Sequence, residues 1–181
     1  MHYVQQYRTE LLNALESIDL RALDEAVDML REARAHGKCI FFCGNGTHGS
    51  ACSHLLSDML RTSSLNRTMK FRVFILTDEF RQPDPFDDSV LMNQLRNTAS
   101  PGDVVMGISA SENPHVVVRA MEYAREIGCH TIGISAGATG KLASAVDTAI
   151  FTPASKRGSV EDAHMIVCRM IGHYFLNSDQ E

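Results

Sequence analysis

Lys38-Cys39-Ile40-Phe41-Phe42-Cys43-Gly44-Asn45-Gly46-Thr47-His48-Gly49-Ser50 decides how the chain folds. Five residues, Cys39 to Cys43, form a continuous apolar run of strand length. A glycine-punctuated turn, Gly44 to Ser50, follows it, and a helical pattern runs on to Arg61. Glycine permits a sharp turn and close approach of a ligand to the backbone. The first amides of the helix lack partners within it and lie at its positive dipole end, with the Thr47 and Ser50 hydroxyls beside them. An anion, most simply a phosphate, suits that position. Further along the same helix His54 and Asp58 are four residues apart and share a face. The competing reading is a strand-to-helix turn that binds nothing. Nucleotide motifs fit poorly. The turn lacks the Lys-Ser/Thr ending of a P-loop, and Thr68-Met69-Lys70 holds no acid where a dinucleotide fingerprint needs one.

Outward from this stretch the pattern repeats. Residues 3–17 and 20–36 are apolar at helical spacing, with Asp19 as the expected N-cap and Gly37 as the stop of the second helix. Strands are expected at 71–77, 104–108, 130–135 and 148–152, and helices at 88–97, from Pro114 to Gly128 with Asn113 as N-cap, and over 160–176. The stretch from Asp78 to Phe86 carries two prolines and several acids and reads as a loop. Strands alternating with helices predict an α/β, doubly wound, five-stranded parallel sheet with helices on both faces, preceded by N-terminal helices. Ligands of such sheets bind beyond the carboxyl ends of the strands, which places Gly44–Ser50, Ser109–Asn113 and Ser135–Thr139 on one rim.

Composition narrows the classes. With 181 residues, 44% hydrophobic and 22% charged, the chain has the size and make-up of one globular domain. A net charge of −5 argues against a nucleic-acid surface. No apolar run is long enough for a membrane span, and the polar, helical N-terminus does not read as a signal peptide, so a cytoplasmic location is expected. Five cysteines, Cys39, Cys43, Cys52, Cys129 and Cys168, show no C-x-x-C pair and read as packing residues.

Gly44-Asn45-Gly46 before a helix bearing His54, Gly102-Asp103-Val104-Val105, and Gly107-Ile108-Ser109-x-Ser111-x-Asn113 together resemble the sugar isomerase (SIS) domain, and within it most nearly phosphoheptose isomerase. The likeness covers nearly the whole chain. It implies a single domain over residues 1–181 with a flavodoxin-like sheet, residues 1–37 as an oligomerisation element, and a homo-oligomer, dimer or tetramer, whose pocket is shared between subunits. It also implies a sugar phosphate as ligand, held by Asn45, Gly46, Thr47, His48, Ser109, Ser111 and Asn113, with Asp84 contacting the sugar. Two positions depart from the family: His48 stands for its turn serine and Pro114 for the last serine of the second loop. Ser109 and Ser111 have a second reading as simple caps of the following helix.

The same resemblance implies Zn2+ between two helices. His54, Asp58 and Glu161 fall on ligand positions, Asp58 also falls on the catalytic Glu, and Arg169 replaces a His that is both ligand and acid–base partner. A guanidinium stays protonated and cannot ligate, so His164 is the candidate to stand in, against the alternative of a hydrogen-bonded core histidine. His54 and Asp58 also fit a surface i, i+4 pair, and Glu161 with Asp162 fits acids at a helix start. Aldose–ketose isomerisation needs a base that moves a proton between adjacent carbons and an acid or electrophile at the oxygens. The expected catalytic set is Asp58, His164 and Arg169. An isomerase of the sedoheptulose 7-phosphate type is the leading reading. A catalytically degenerate SIS protein, acting as an assembly factor like the one that docks on a bacterial replication initiator, or as a phosphosugar sensor, is the alternative.

Overall fold

The computed structural model describes residues 2–44, 48–65, 70–76, 88–111, 113–138 and 140–178, with the side chains of residues 63–65 excepted. Asn45, Gly46, Thr47 and Asp84, expected at the substrate, lie outside the described residues, as does the acidic stretch from Asp78 to Phe86.

Two helices lead the chain, α1 (His2–Glu16) and α2 (Leu20–Ala35). Asp19 caps α2 by accepting from the Arg21 amide at 2.9 Å, and Gly37, at φ +63°, ends it in a conformation that L side chains resist. Then follow β1 (Cys39–Gly44), α3 (His48–Leu65), β2 (Arg72–Leu76), α4 (Val90–Thr98), β3 (Val104–Ser109), α5 (His115–Glu126), β4 (His130–Ser135), α6 (Lys141–Ser144), β5 (Thr148–Phe151) and α7 (Arg157–Ser178). The five strands pair in parallel in the order β2-β1-β3-β4-β5. The expected α/β architecture is the observed one.

Alternation of side chains across the pleat sorts the central strands between two cores. Ile40, Phe42, Met106, Ile132 and Ile134 pack with α2, α3 and α7. Phe41, Cys43 and Val105 pack on the other face with α4, α5 and α6. The five cysteines are free and buried, and burial pushes the Cys52 thiol up to about 12 and the Cys129 thiol up to about 11, so they serve as packing residues.

Two helix starts differ from expectation. Pro114, expected at the first helical position, is the N-cap at ψ 92°, and α5 begins at His115. Asn113 therefore does not cap α5. Its side chain accepts from the Lys141 amide at 3.0 Å and ties the β3–α5 loop to the start of α6. At the other end of the chain α7 starts at Arg157 rather than Val160, taking in Gly158 and Ser159, whose weak helix propensity is overridden by packing against α1. A Cβ at Gly158 would lie 3.4 Å from the Tyr7 hydroxyl. Tyr7 donates to Asp162 at 2.7 Å, and Glu10 accepts from the Ser155 hydroxyl at 2.6 Å and from the Ser155 and Lys156 amides at 2.7 and 2.8 Å. The first helix is thus pinned to its own chain, and it leaves Tyr3, Val4 and Leu12 exposed.

α5 packs close on the sheet at Gly107, where a Cβ would stand 2.6 Å from Met121 Cε and 2.7 Å from Val117 Cγ1. Gly107→Ala is expected to lower stability by about 1–3 kcal/mol through overpacking, measured by urea denaturation. Gly49→Ala, where no atom lies within 4 Å, is expected to be neutral or slightly stabilising.

Candidate functional site

In this strand order the chain leaves β1 toward β2 and then crosses back to β3, so the loops after β1 and β3 diverge and open a crevice between them. Gly44, the last residue of β1, pairs beside Ile108, one residue before the end of β3. The start of α3 lies tight against this point. A Cβ on Gly44 would stand 2.8 Å from His48 Cβ, so only glycine lets the first residue of α3 sit over the strand end.

A cavity of about 390 Å³ opens here, lined by His48, Ser109, Ser111, Ser155 and Arg157 among others. Three of the expected substrate-binding residues, His48, Ser109 and Ser111, are thereby brought together. Ser109 Oγ accepts from the Ser111 amide at 3.1 Å, and Ser111 Oγ accepts from the Asn113 amide at 3.3 Å. The loop is ordered by its own hydroxyl oxygens, so the two readings of these serines coexist: a turn is built, and the same residues line the cavity. Asn113 is not among the residues lining this cavity; its carboxamide oxygen accepts from the Lys141 amide.

Ser155 and Arg157 are absent from the sequence-derived set. They come from the β5–α7 junction, between the strand expected to end at 152 and the helix expected to start at 160. Arg157 Nε donates to Glu161 Oε1 at 2.8 Å while its side chain stays largely exposed at the cavity. Glu10 fixes Ser155 from α1. Its carboxyl is held below the usual range by the Ser155 hydroxyl first, with the two backbone amides adding to it.

Behind the cavity two imidazoles meet. His48 Nε2 and His164 Nδ1 are 3.1 Å apart, and both residues are buried. His164 is fully enclosed. Burial first, and the neighbouring His48 second, lower its pKa to about 4 against an ordinary 6.5, while the Ser135 backbone and Glu161 pull the other way. It is therefore neutral near pH 7 and orients the ring of His48.

The other expected catalytic residues lie elsewhere. Arg169 Nη1 donates to Asp58 Oδ2 at 2.8 Å and to Oδ1 at 3.0 Å. Ten residues of α3 separate Asp58 from His48, about 15 Å along the helix axis. The structure thus divides the trio: His164 belongs with His48 at the rim, and Asp58 with Arg169 farther down the α3–α7 seam. Gly172 completes that lower pair, because a Cβ there would come within 2.8 Å of the Asp58 carboxylate. No feature of the sequence by itself pointed to Gly172.

The residues that the resemblance assigned to zinc do not form a ligand set. Asp58 is taken by Arg169, Glu161 accepts from Arg157, and His54 is exposed. Among the described residues no group of three His, Cys, Asp or Glu could hold a metal ion.

Comparison with known proteins now places this geometry. The SIS domain family model matches residues 2–136. The chain belongs to the SIS domain family. A phosphoheptose isomerase of Solidesulfovibrio magneticus is 30% identical over 167 residues, covering 88% of this chain and 81% of that protein. The phosphoheptose isomerase of Neisseria gonorrhoeae superposes with a TM-score of 0.84 over 97% of this chain and 98% of that one, at 21% identity. The NanR protein of Vibrio vulnificus, complexed with ManNAc-6P, has a TM-score of 0.71 at 14% identity, over 98% of this chain and 64% of that one. Both superpositions show the SIS fold around the same five-stranded sheet. No described helix is long and apolar enough to cross a membrane.

A buried neutral imidazole makes stability depend on pH. Between about pH 6.5 and about pH 4 the unfolded chain takes up a proton at His164 that the folded chain refuses, so stability falls as pH falls through that window and levels off outside it. The full effect is on the order of 3 kcal/mol. Urea midpoints at about pH 7.5 and about pH 4.5 are expected to differ clearly in the parent and distinctly less in His164→Gln.

Proposed function

We propose that this SIS protein is a phosphosugar isomerase of the sedoheptulose 7-phosphate type. The observation that carries the reading is the cavity at the switch point, where Ser109, Ser111, His48 and the Arg157 guanidinium converge on one rim beside the start of α3. Hydroxyl donors, helix amides and a guanidinium are the groups that recognise a phosphate monoester. The relationship to phosphoheptose isomerases over most of the chain supports the same ligand class.

The sugar end needs a proton carrier. A carboxylate takes the proton from the carbon beside the carbonyl and returns it to the former carbonyl carbon, a fixed cation balances the enediolate oxygen between those steps, and the hydroxyl proton passes from one sugar oxygen to the other, directly or through water. Asp58 and Arg169 have those chemical characters. Asp58 is one methylene shorter than the family's Glu. In the observed state both carboxylate oxygens face Arg169, so proton abstraction requires the guanidinium to turn from the carboxylate toward the sugar oxygens. Arg169, 43% exposed in its side chain, has room to do so. A homo-oligomer, which the family resemblance implies, would place a second copy against the exposed residues of α1, and the cytoplasm is the compartment we assign.

A second reading is a phosphosugar-binding SIS protein without turnover. The closed state of Asp58, only 2% exposed beneath Arg169, favours it.

Calorimetry with sedoheptulose 7-phosphate is expected to show saturable binding. Ser109→Ala should weaken it about 10- to 100-fold, the equivalent of one lost hydrogen bond to a charged group. Turnover to the aldose phosphate, abolished in Asp58→Asn while binding persists, would establish the isomerase. Binding with no turnover in the parent would establish the second reading, and absence of binding would refute both.

A further inference from the structure

The polar pair in the lower part of the α3–α7 seam is complete without any added ion. One nitrogen of Arg169 bridges both oxygens of Asp58, at 2.8 and 3.0 Å, so each oxygen already has a cationic partner. The carboxylate is almost entirely enclosed, whereas Arg169 reaches it from a partly exposed position. The opposite helix is shaped for this arrangement. Gly172, three residues beyond Arg169 on α7, supplies the space that the Asp58 carboxylate fills.

Charge leads to the same conclusion as geometry. Asp58 and Arg169 together are neutral, so the seam has no net negative charge to attract a divalent ion. A metal placed on Asp58 would share one carboxylate with a guanidinium that cannot lose its proton, and the two cations would repel across a short, poorly screened distance. The other candidate ligands are directed elsewhere along the seam. Glu161 Oε1 accepts from Arg157 at 2.8 Å, and His164, which the sequence offered as a replacement ligand, has its Nδ1 3.1 Å from His48 at the rim.

We infer that the α3–α7 seam of this protein is metal-independent, with the Arg169 guanidinium as its resident cation on Asp58. The position that the resemblance assigns to zinc is here filled from within the chain. This inference does not rest on turnover: it holds equally if the protein only binds its phosphosugar.

The test uses the full-length protein, produced in zinc-supplemented medium and desalted without chelator. Zinc is counted by mass spectrometry and by competition with a chromophoric zinc chelator. The parent is expected to carry no more than about 0.1 zinc per chain, and its melting temperature should not move with either EDTA or added zinc. Arg169→His removes the cation and sets an imidazole beside Asp58, with His54 one turn earlier on α3. That variant is expected to raise zinc occupancy toward about one per chain, and adding Asp58→Ala should take it back to the parent's level. About one zinc per chain in the parent, lost in Asp58→Ala, would overturn the inference. A folded Arg169→His protein that binds no more zinc than the parent would overturn the assignment of Arg169 as the excluding group. If that variant does not fold, the parent's zinc content and its response to EDTA decide the matter alone. Calorimetry with sedoheptulose 7-phosphate on the same samples separates this outcome from failure of the phosphosugar reading.

Discussion

Everything at the rim depends on how closely α3 can begin over the end of β1. Gly44 is the contact point, because a side chain there would occupy the space of His48. A helix seated that near to a strand end points its first amides into the crevice where the strand order reverses. The Ser109–Ser111 loop closes the crevice from β3, and the β5–α7 junction closes it from the far side. The anion site is therefore a product of backbone topology first and of side-chain chemistry second. Its hydroxyls and its guanidinium decorate a position that the sheet has already made.

The seam between α3 and α7 extends that logic along the two helices. Both run away from the rim, and they meet through two polar pairs. His48 with His164 lies at the top, and Asp58 with Arg169 lies below. Between them Cys52, Leu55, Cys168 and Ile171 belong to the apolar core. Each pair solves its burial differently. His164 stays neutral, which avoids the cost of an enclosed charge, and the Asp58 carboxylate is paired with a cation from the neighbouring helix. A single relay running from the rim to Asp58 is not what this seam provides.

Much of the fold was legible because its signals are local. Apolar runs such as Cys39–Cys43 and Val104–Ile108, stops such as Gly37 and Gly128, and the Asp19 cap each act within a few residues. The place of Ser109 and Ser111 on the rim was legible for the same reason, from where the third strand ends, whereas their expected phosphate role came from the family resemblance. What the sequence hid was long-range. Whether His164 belongs to a metal site or to His48, 116 residues away, is a question of how two helices pack. Arg169 read as a lost catalytic histidine, and only the packed seam reveals it as the partner of Asp58. Arg157 and Ser155 escaped because α7 begins before its apolar stripe does, held there by contacts from α1. Asn113, with the spacing of a cap, instead bonds to a neighbouring element that sequence proximity could not indicate.

A crystal structure with sedoheptulose 7-phosphate bound tests the central claim most directly. The account predicts the phosphate in the crevice between the ends of β1 and β3, within hydrogen-bond reach of the Ser109 and Ser111 hydroxyls and beside the first turn of α3. A phosphate seated elsewhere on the molecule, with this crevice filled only by solvent, would contradict it.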